Sequence, residues 1–146
     1  FAAAVDRAIV RYTVNEDQIR ATLCDDLEQT LINIAMLRID LVASPEGINL
    51  QRVIQTESYR FPHIFMEMYE RAALPSVRFL AEVLDRETNA GRLAIEDPLL
   101  AANTFMSMVV GGPVRFILSA IPLPREDLDA RVRYGVRLFL DGALKR

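Results

Sequence analysis

One histidine, His63, and one cysteine, Cys24, bound the chemistry open to this 146-residue chain. A Ser-His-Asp or Cys-His nucleophile needs a histidine base. His63 follows Pro62 directly, in what reads as the first turn of a helix, where a surface or capping role is expected. A closed zinc site made of cysteine and histidine needs more ligands than these two residues supply. A di-iron bundle needs Glu-x-x-His on two helices, and the residue three before His63 is Arg60. Glu67 and Glu70 form an i,i+3 carboxylate pair, a spacing that also makes an ordinary solvated helix face. Gly111-Gly112-Pro113 lacks both the lysine and the preceding strand of a phosphate loop. No catalytic residue, metal site or cofactor is expected, and the chain does not read as an enzyme.

Composition narrows the partners. Hydrophobic residues make up 51% and charged residues 25% of the chain, a globular balance with enough length for one domain. The net charge of −3 argues against nucleic-acid contact by this piece, which would need a basic face. The most membrane-like stretch, Phe105 to Ile121, is interrupted by Gly111, Gly112, Pro113 and Arg115, so no membrane span is expected. The start, Phe1-Ala-Ala-Ala-Val, already reads as helix and lacks the basic region of a signal peptide; further residues are expected upstream.

The elements are helices throughout. Phe1, Val5, Ile9 and Tyr12 make one stripe of a first helix. Asn15 with Gln18 makes a capping box, opening a long helix from about Glu16 to Val42. That helix is expected to be central, because Leu31 to Val42 is apolar nearly all round. Ser44-Pro45-Glu46 opens a helix to about Tyr59, and Pro62 forces a break at Phe61. A short helix from Pro62 and another through Leu84 follow, the latter ending at Ala90-Gly91 where glycine suits a left-handed cap. Asp97-Pro98 starts a very apolar helix that Gly111-Gly112-Pro113 should kink or end. The last helix spans about Arg125 to Leu144. The count is seven or eight helices, with no strand.

Positions that interrupt or concentrate the apolar pattern carry the functional signal. Met36, Met66, Met68, Met106 and Met108 cluster in the most apolar helices near Phe65, Tyr69, Phe105 and Phe116. They either fill the core or line an adaptable pocket. Arg38, Asp40 and Arg115 either snorkel to water or are buried with a partner; Arg38 and Asp40, two apart on a helix, point different ways. Leu99 to Val110 has almost no polar face, and the last helix bears the stripe Leu128, Val132, Val136 and Phe139 with Gly135 and Gly142. Together they read as a self-association surface, unless both are buried within one chain. Val109 and Val110 complete the expected two-fold contact, on the order of 1,500 Å² in total. A charge at Val136 is expected to break it.

Across these segments the chain resembles the C-terminal regulatory domain of TetR-family transcriptional repressors, above all the AefR-like subgroup. The likeness rests on Phe1-Ala-Ala-Ala-Val as a connecting helix (residues 1–13), on Arg52, Glu57 and Arg60-Phe61-Pro62, and on Ala90-Gly91-Arg92-Leu93 followed by Asp97-Pro98.

The resemblance implies a cytoplasmic homodimer, paired as a four-helix bundle by the segments Asp97 to Ser119 and Arg125 to Leu144. Residues 1–146 would form one ligand-binding and dimerisation domain. An N-terminal helix-turn-helix domain, absent from this chain, would alone meet operator DNA. A small apolar or amphipathic effector would sit among the central helices, near Met36, Phe65, Tyr69, Phe105 and Met108, and its binding would release the operator. The alternative is a helical homodimerisation or scaffold module with no small-molecule ligand, which would be packed solid at that place.

Overall fold

The computed structural model describes residues 2–11 and 13–143, so Phe1, Tyr12 and Leu144 lie outside the described residues. All regular structure there is helical. Seven helices follow one another: α1 (Ala2–Arg11), α2 (Glu16–Arg20), α3 (Leu27–Ala43), α4 (Pro45–Glu57), α5 (residues 62–89), α6 (Pro98–Leu118) and α7 (Arg125–Ala143). The starts follow the local chemistry. The Gln18 N–H donates to Asn15 Oδ1 at 2.8 Å and the Asn15 N–H to Gln18 Oε1 at 3.1 Å. Ser44 Oγ accepts from the Gly47 N–H, and Asp97 Oδ1 from the Leu100 N–H, each ahead of a first-turn proline.

The expected helix from Glu16 to Val42 is broken at residues 21–26, because side chains there take over backbone partners. The Thr22 hydroxyl donates to the Ile19 carbonyl at 2.6 Å, the Cys24 N–H donates to Thr30 Oγ1 at 3.1 Å, and Asp26 caps a new start at Glu28. Only the apolar half, α3, is central, with Leu31, Ala35 and Ile39 fully buried.

Conversely, α5 and α6 run straight through a proline. Pro75 and Pro113 each lack a donor N–H and crowd the carbonyl four residues back. Each is preceded by a π-helical turn, Tyr69–Ala73 and Met106–Val110, closed by Leu74 N–H to the Tyr69 carbonyl and Gly111 N–H to the Met106 carbonyl. One extra residue in the turn gives the ring room, so the helix bulges instead of ending.

Both α5 and α6 end in a Schellman motif. Gly91 adopts φ +83°, with Arg92 N–H bonded to the Glu87 carbonyl and Gly91 N–H to the Thr88 carbonyl. At the end of α6 the same left-handed position is held by Ala120, at φ 56°.

Two apolar clusters result. The larger joins α3, the second half of α5, α6 and α7 through Leu31, Ile39, Leu80, Leu84, Phe105, Val109, Val132 and Val136. The smaller joins α1, α4 and the first half of α5 through Val5, Ile9, Leu50, Ile54, Ile64, Met68 and Ala72. Leu41 packs against both. Among the described residues α6 alone is long and apolar enough to cross a membrane; here it places Ala102, Phe105, Val109 and Val110 in the core.

Candidate functional site

A cavity of about 260 Å³ opens where the two clusters meet, beside both π turns. Met68, Tyr69 and Ala73 reach it from α5, and Met106, Val110 and Val114 from α6; Val42 and Arg38 come from α3 and Gln51 from α4. π bulges recur at functional sites because they turn side chains and carbonyls off the helical register. The Ala72 carbonyl, inside the first bulge, accepts from the Arg38 guanidinium at 3.5 Å.

The polar side chains of the cavity are Arg38, Gln51, Tyr69, Asn103 and Ser107. The Tyr69 hydroxyl donates to Asn103 Oδ1 at 2.8 Å, and Asn103 Nδ2 donates to the Leu99 carbonyl at 3.2 Å. Arg38 is the only charged side chain in the lining, and burial pushes its pKa below the ordinary arginine value. Asp40 faces elsewhere and pairs with Arg125 of α7 at 3.0 Å.

Of the five side chains expected around an effector, Tyr69 alone lines this cavity. Phe105 is fully buried in the larger cluster, edge-on to Phe139 with ring centroids 5.2 Å apart. Met36 packs against that same cluster. Phe65 stacks on Tyr69 but is 47% exposed, and Met108 faces outward at 40% exposure. The bulge explains Met108: a wider turn advances less angle per residue, so Met108 falls short of the face that Phe105 begins and Val109 takes it. Met68 and Met106 line the cavity in place of Met108, and Arg38, which interrupts the apolar run of α3, joins them.

The residues expected at a dimer contact divide in a different way. Val109, Val110, Leu128, Val132 and Val136 are buried in the chain's own core. Gly135 is buried too, and a Cβ there would lie 3.1 Å from Val109 Cγ2 of the same chain. Phe139 is half-buried against Phe105. Val109, Val110, Leu128, Val132, Gly135 and Val136 thus bury their surface within the chain, whereas Phe139 also borders the open groove between α6 and α7. Gly142 stays exposed, in an open groove between α6 and α7 that it shares with Leu100, Thr104 and Leu138. The same outer side of these helices leaves Leu100 62%, Leu138 53% and Tyr134 71% exposed.

The cavity is connected mechanically to α1. Gln51 lies between Leu50, in the smaller cluster beneath α1, and Arg52, whose guanidinium donates to the Leu118 carbonyl at the end of α6. Met68 belongs at once to the cavity wall and to that cluster. Arg71, in the first bulge, bonds Asp6 of α1 and Glu67.

Residues 29–142 match the family described as AefR-like transcriptional repressor, C-terminal domain. Two solved structures share the fold. One is assigned as a TetR-family transcriptional regulator of Mesorhizobium loti MAFF303099, 20% identical with a TM-score of 0.75, this chain covering 71% of it and 98% of this chain being covered. The other is the flavonoid-responsive regulator FrrA, 24% identical with a TM-score of 0.77, this chain covering 74% of it and 97% of this chain being covered. No curated protein matches the chain.

Proposed function

Because the chain belongs to the AefR-like C-terminal domains of TetR-family transcriptional repressors, we propose that it senses a small effector in the cavity between α3, α5 and α6 while pairing with a second copy through the outer side of α6 and α7. Operator DNA would be met by a separate helix-turn-helix domain, in the cytoplasm, and effector binding would release it. The cavity itself carries this reading. It is largely apolar, holds a few convergent polar groups, and sits at the seam of two clusters rather than inside one. A scaffold without a ligand would be packed solid there.

The seam suggests how occupancy would be felt. A molecule between Met68, Gln51 and Val110 bears on the bed beneath α1 from one side and on α6 from the other. An effector that fits one spacing of these parts better than another shifts their balance by its difference in affinity. The flavonoid response of FrrA belongs to that protein; it is a precedent in this fold for a small aromatic effector.

The test uses N-phenyl-1-naphthylamine, a neutral dye that brightens in apolar surroundings, titrated into the full chain beside Val110→Trp, which fills the cavity. Saturable brightening in the wild type and its loss in the variant are expected, with the helical circular dichroism kept. Dye binding that ignores Val110→Trp, or no binding, overturns the reading.

A further inference from the structure

The cavity holds a cation without a counter-ion. Arg38 offers five N–H donors, and one makes a single long bond, at 3.5 Å, to the Ala72 carbonyl. Among the described residues no carboxylate lies within ion-pair distance of it, and none lines the cavity. Its remaining N–H groups are not sealed in protein, since no fully buried side-chain nitrogen is left without a partner. Desolvation holds its pKa below the ordinary arginine value, so the fold keeps the charge where burial disfavours it. Water reaches its free N–H groups, and a bound anion would replace that water with a direct pair.

The neighbouring polar groups are neutral. Asn103 Oδ1, one acceptor facing this space, is already taken by the Tyr69 hydroxyl. The Gln51 amide makes no hydrogen bond among the described residues, so its NH₂ is free to donate and its Oε1 to accept. Arg38 is thus the one full charge on a wall otherwise made of the neutral polar groups of Gln51, Tyr69, Asn103 and Ser107 and of the apolar Val42, Met68, Val77, Met106, Val110 and Val114, counted among the described residues. A planar guanidinium fork matches a planar carboxylate in two parallel bonds.

Resting on the reading of this cavity as the effector site, we infer that the effector is an amphipathic carboxylate, its acid group held by Arg38 beside Gln51 and its apolar body lying along Met68, Met106 and Val110. A sealed cavity of about 150 Å³ admits one benzene, so about 260 Å³ in a site open to solvent has room for an arylalkanoic acid or a medium-chain fatty acid.

Displacement of N-phenyl-1-naphthylamine from the full chain at neutral pH tests this, using matched pairs of ionised acid and neutral amide: cinnamate and cinnamamide, 4-phenylbutyrate and 4-phenylbutyramide, octanoate and octanamide. At least one acid is expected to displace the dye at about tenfold or more lower concentration than its amide, the worth of a charged hydrogen bond. Arg38→Gln should erase that preference, read as the ratio of acid to amide displacement within each pair, and Arg38→Lys should keep part of it. Dye displaced equally by acid and amide in every pair, or an acid preference that survives Arg38→Gln, overturns the assignment while the cavity reading stands. A wild-type chain that does not take up the dye overturns both.

Discussion

Substituting Leu138 by glutamate separates pairing from folding. Leu138 is 53% exposed on the outer side of α7 and shares its groove with Leu100, 62% exposed, and with Gly142. Full burial of a leucine side chain stabilises by roughly 1.5–3 kcal/mol, so the half still open on each chain is worth about 1 kcal/mol on pairing. Two-fold symmetry counts every substitution twice. Loss of both leucines therefore removes about 2 kcal/mol, a roughly 30-fold rise in the dissociation constant, before any cost of charge. Charge adds to it, because Glu96 and Asp97 already line the same groove and a further carboxylate meets like charge there.

Sedimentation over a micromolar concentration series is the assay. The wild type is expected as a dimer, and Leu138→Glu as a monomer or a dimer at least 30-fold weaker by the same reckoning. Helical circular dichroism should be unchanged, since the side chain leaves the core intact. Wild-type chain that sediments as a monomer throughout, or a variant that matches the wild-type dimer, refutes pairing by this face. Val136→Glu serves as the contrast: Val136 is fully buried in its own chain, so its circular dichroism should collapse along with its dimer.

Gly47→Ala should lower stability by about 1–2 kcal/mol in urea unfolding, because overpacking against backbone outweighs the helix-propensity gain of at most about 1 kcal/mol. The new Cβ would lie 2.4 Å from the Leu41 carbonyl oxygen and 2.7 Å from that of Val42. Gly91→Ala should cost about 1 kcal/mol through its left-handed backbone alone, since nothing lies within 4 Å of the added carbon; Ala120→Gly, at φ 56°, should instead raise the unfolding midpoint slightly. Arg52→Ala should cost about 0.5–1 kcal/mol and speed amide exchange at the end of α6, where the guanidinium holds the Leu118 carbonyl.

Much of the fold was legible because helix starts are written locally. Asn15 with Gln18, Ser44-Pro45 and Asp97-Pro98 each satisfy the orphan donors of a first turn with their own side chains, and Ala90-Gly91 closes α5 as its composition implies. The errors arise where one local rule meets another. Proline in a helix reads as a stop, yet Pro75 and Pro113 are absorbed by bulges that tertiary packing supports. The break at residues 21–26 depends on Thr22, Cys24 and Asn33 finding partners up to eleven residues apart, which periodicity does not register.

The site was less legible, for two physical reasons. Apolar periodicity tells which side chains leave water but not whether they leave it for their own chain or for another. Val132 and Val136 satisfy the same pattern in either case, and the discriminating residues are the exposed ones beside them, Tyr134 and Leu138, which a core stripe teaches one to ignore. The cavity, in turn, is made by a departure from periodicity. Within the second bulge, Met106 and Val110 reach the cavity while Met108 turns to the outside. What did mark the place in the sequence was Arg38, a cation inside the apolar run of α3. An unpaired charge in such a run is costly to keep, and its neighbours Ile34, Ala35, Ile39 and Val42 are buried. A charge kept in that setting is the reason for placing the acid group of the inferred effector at Arg38.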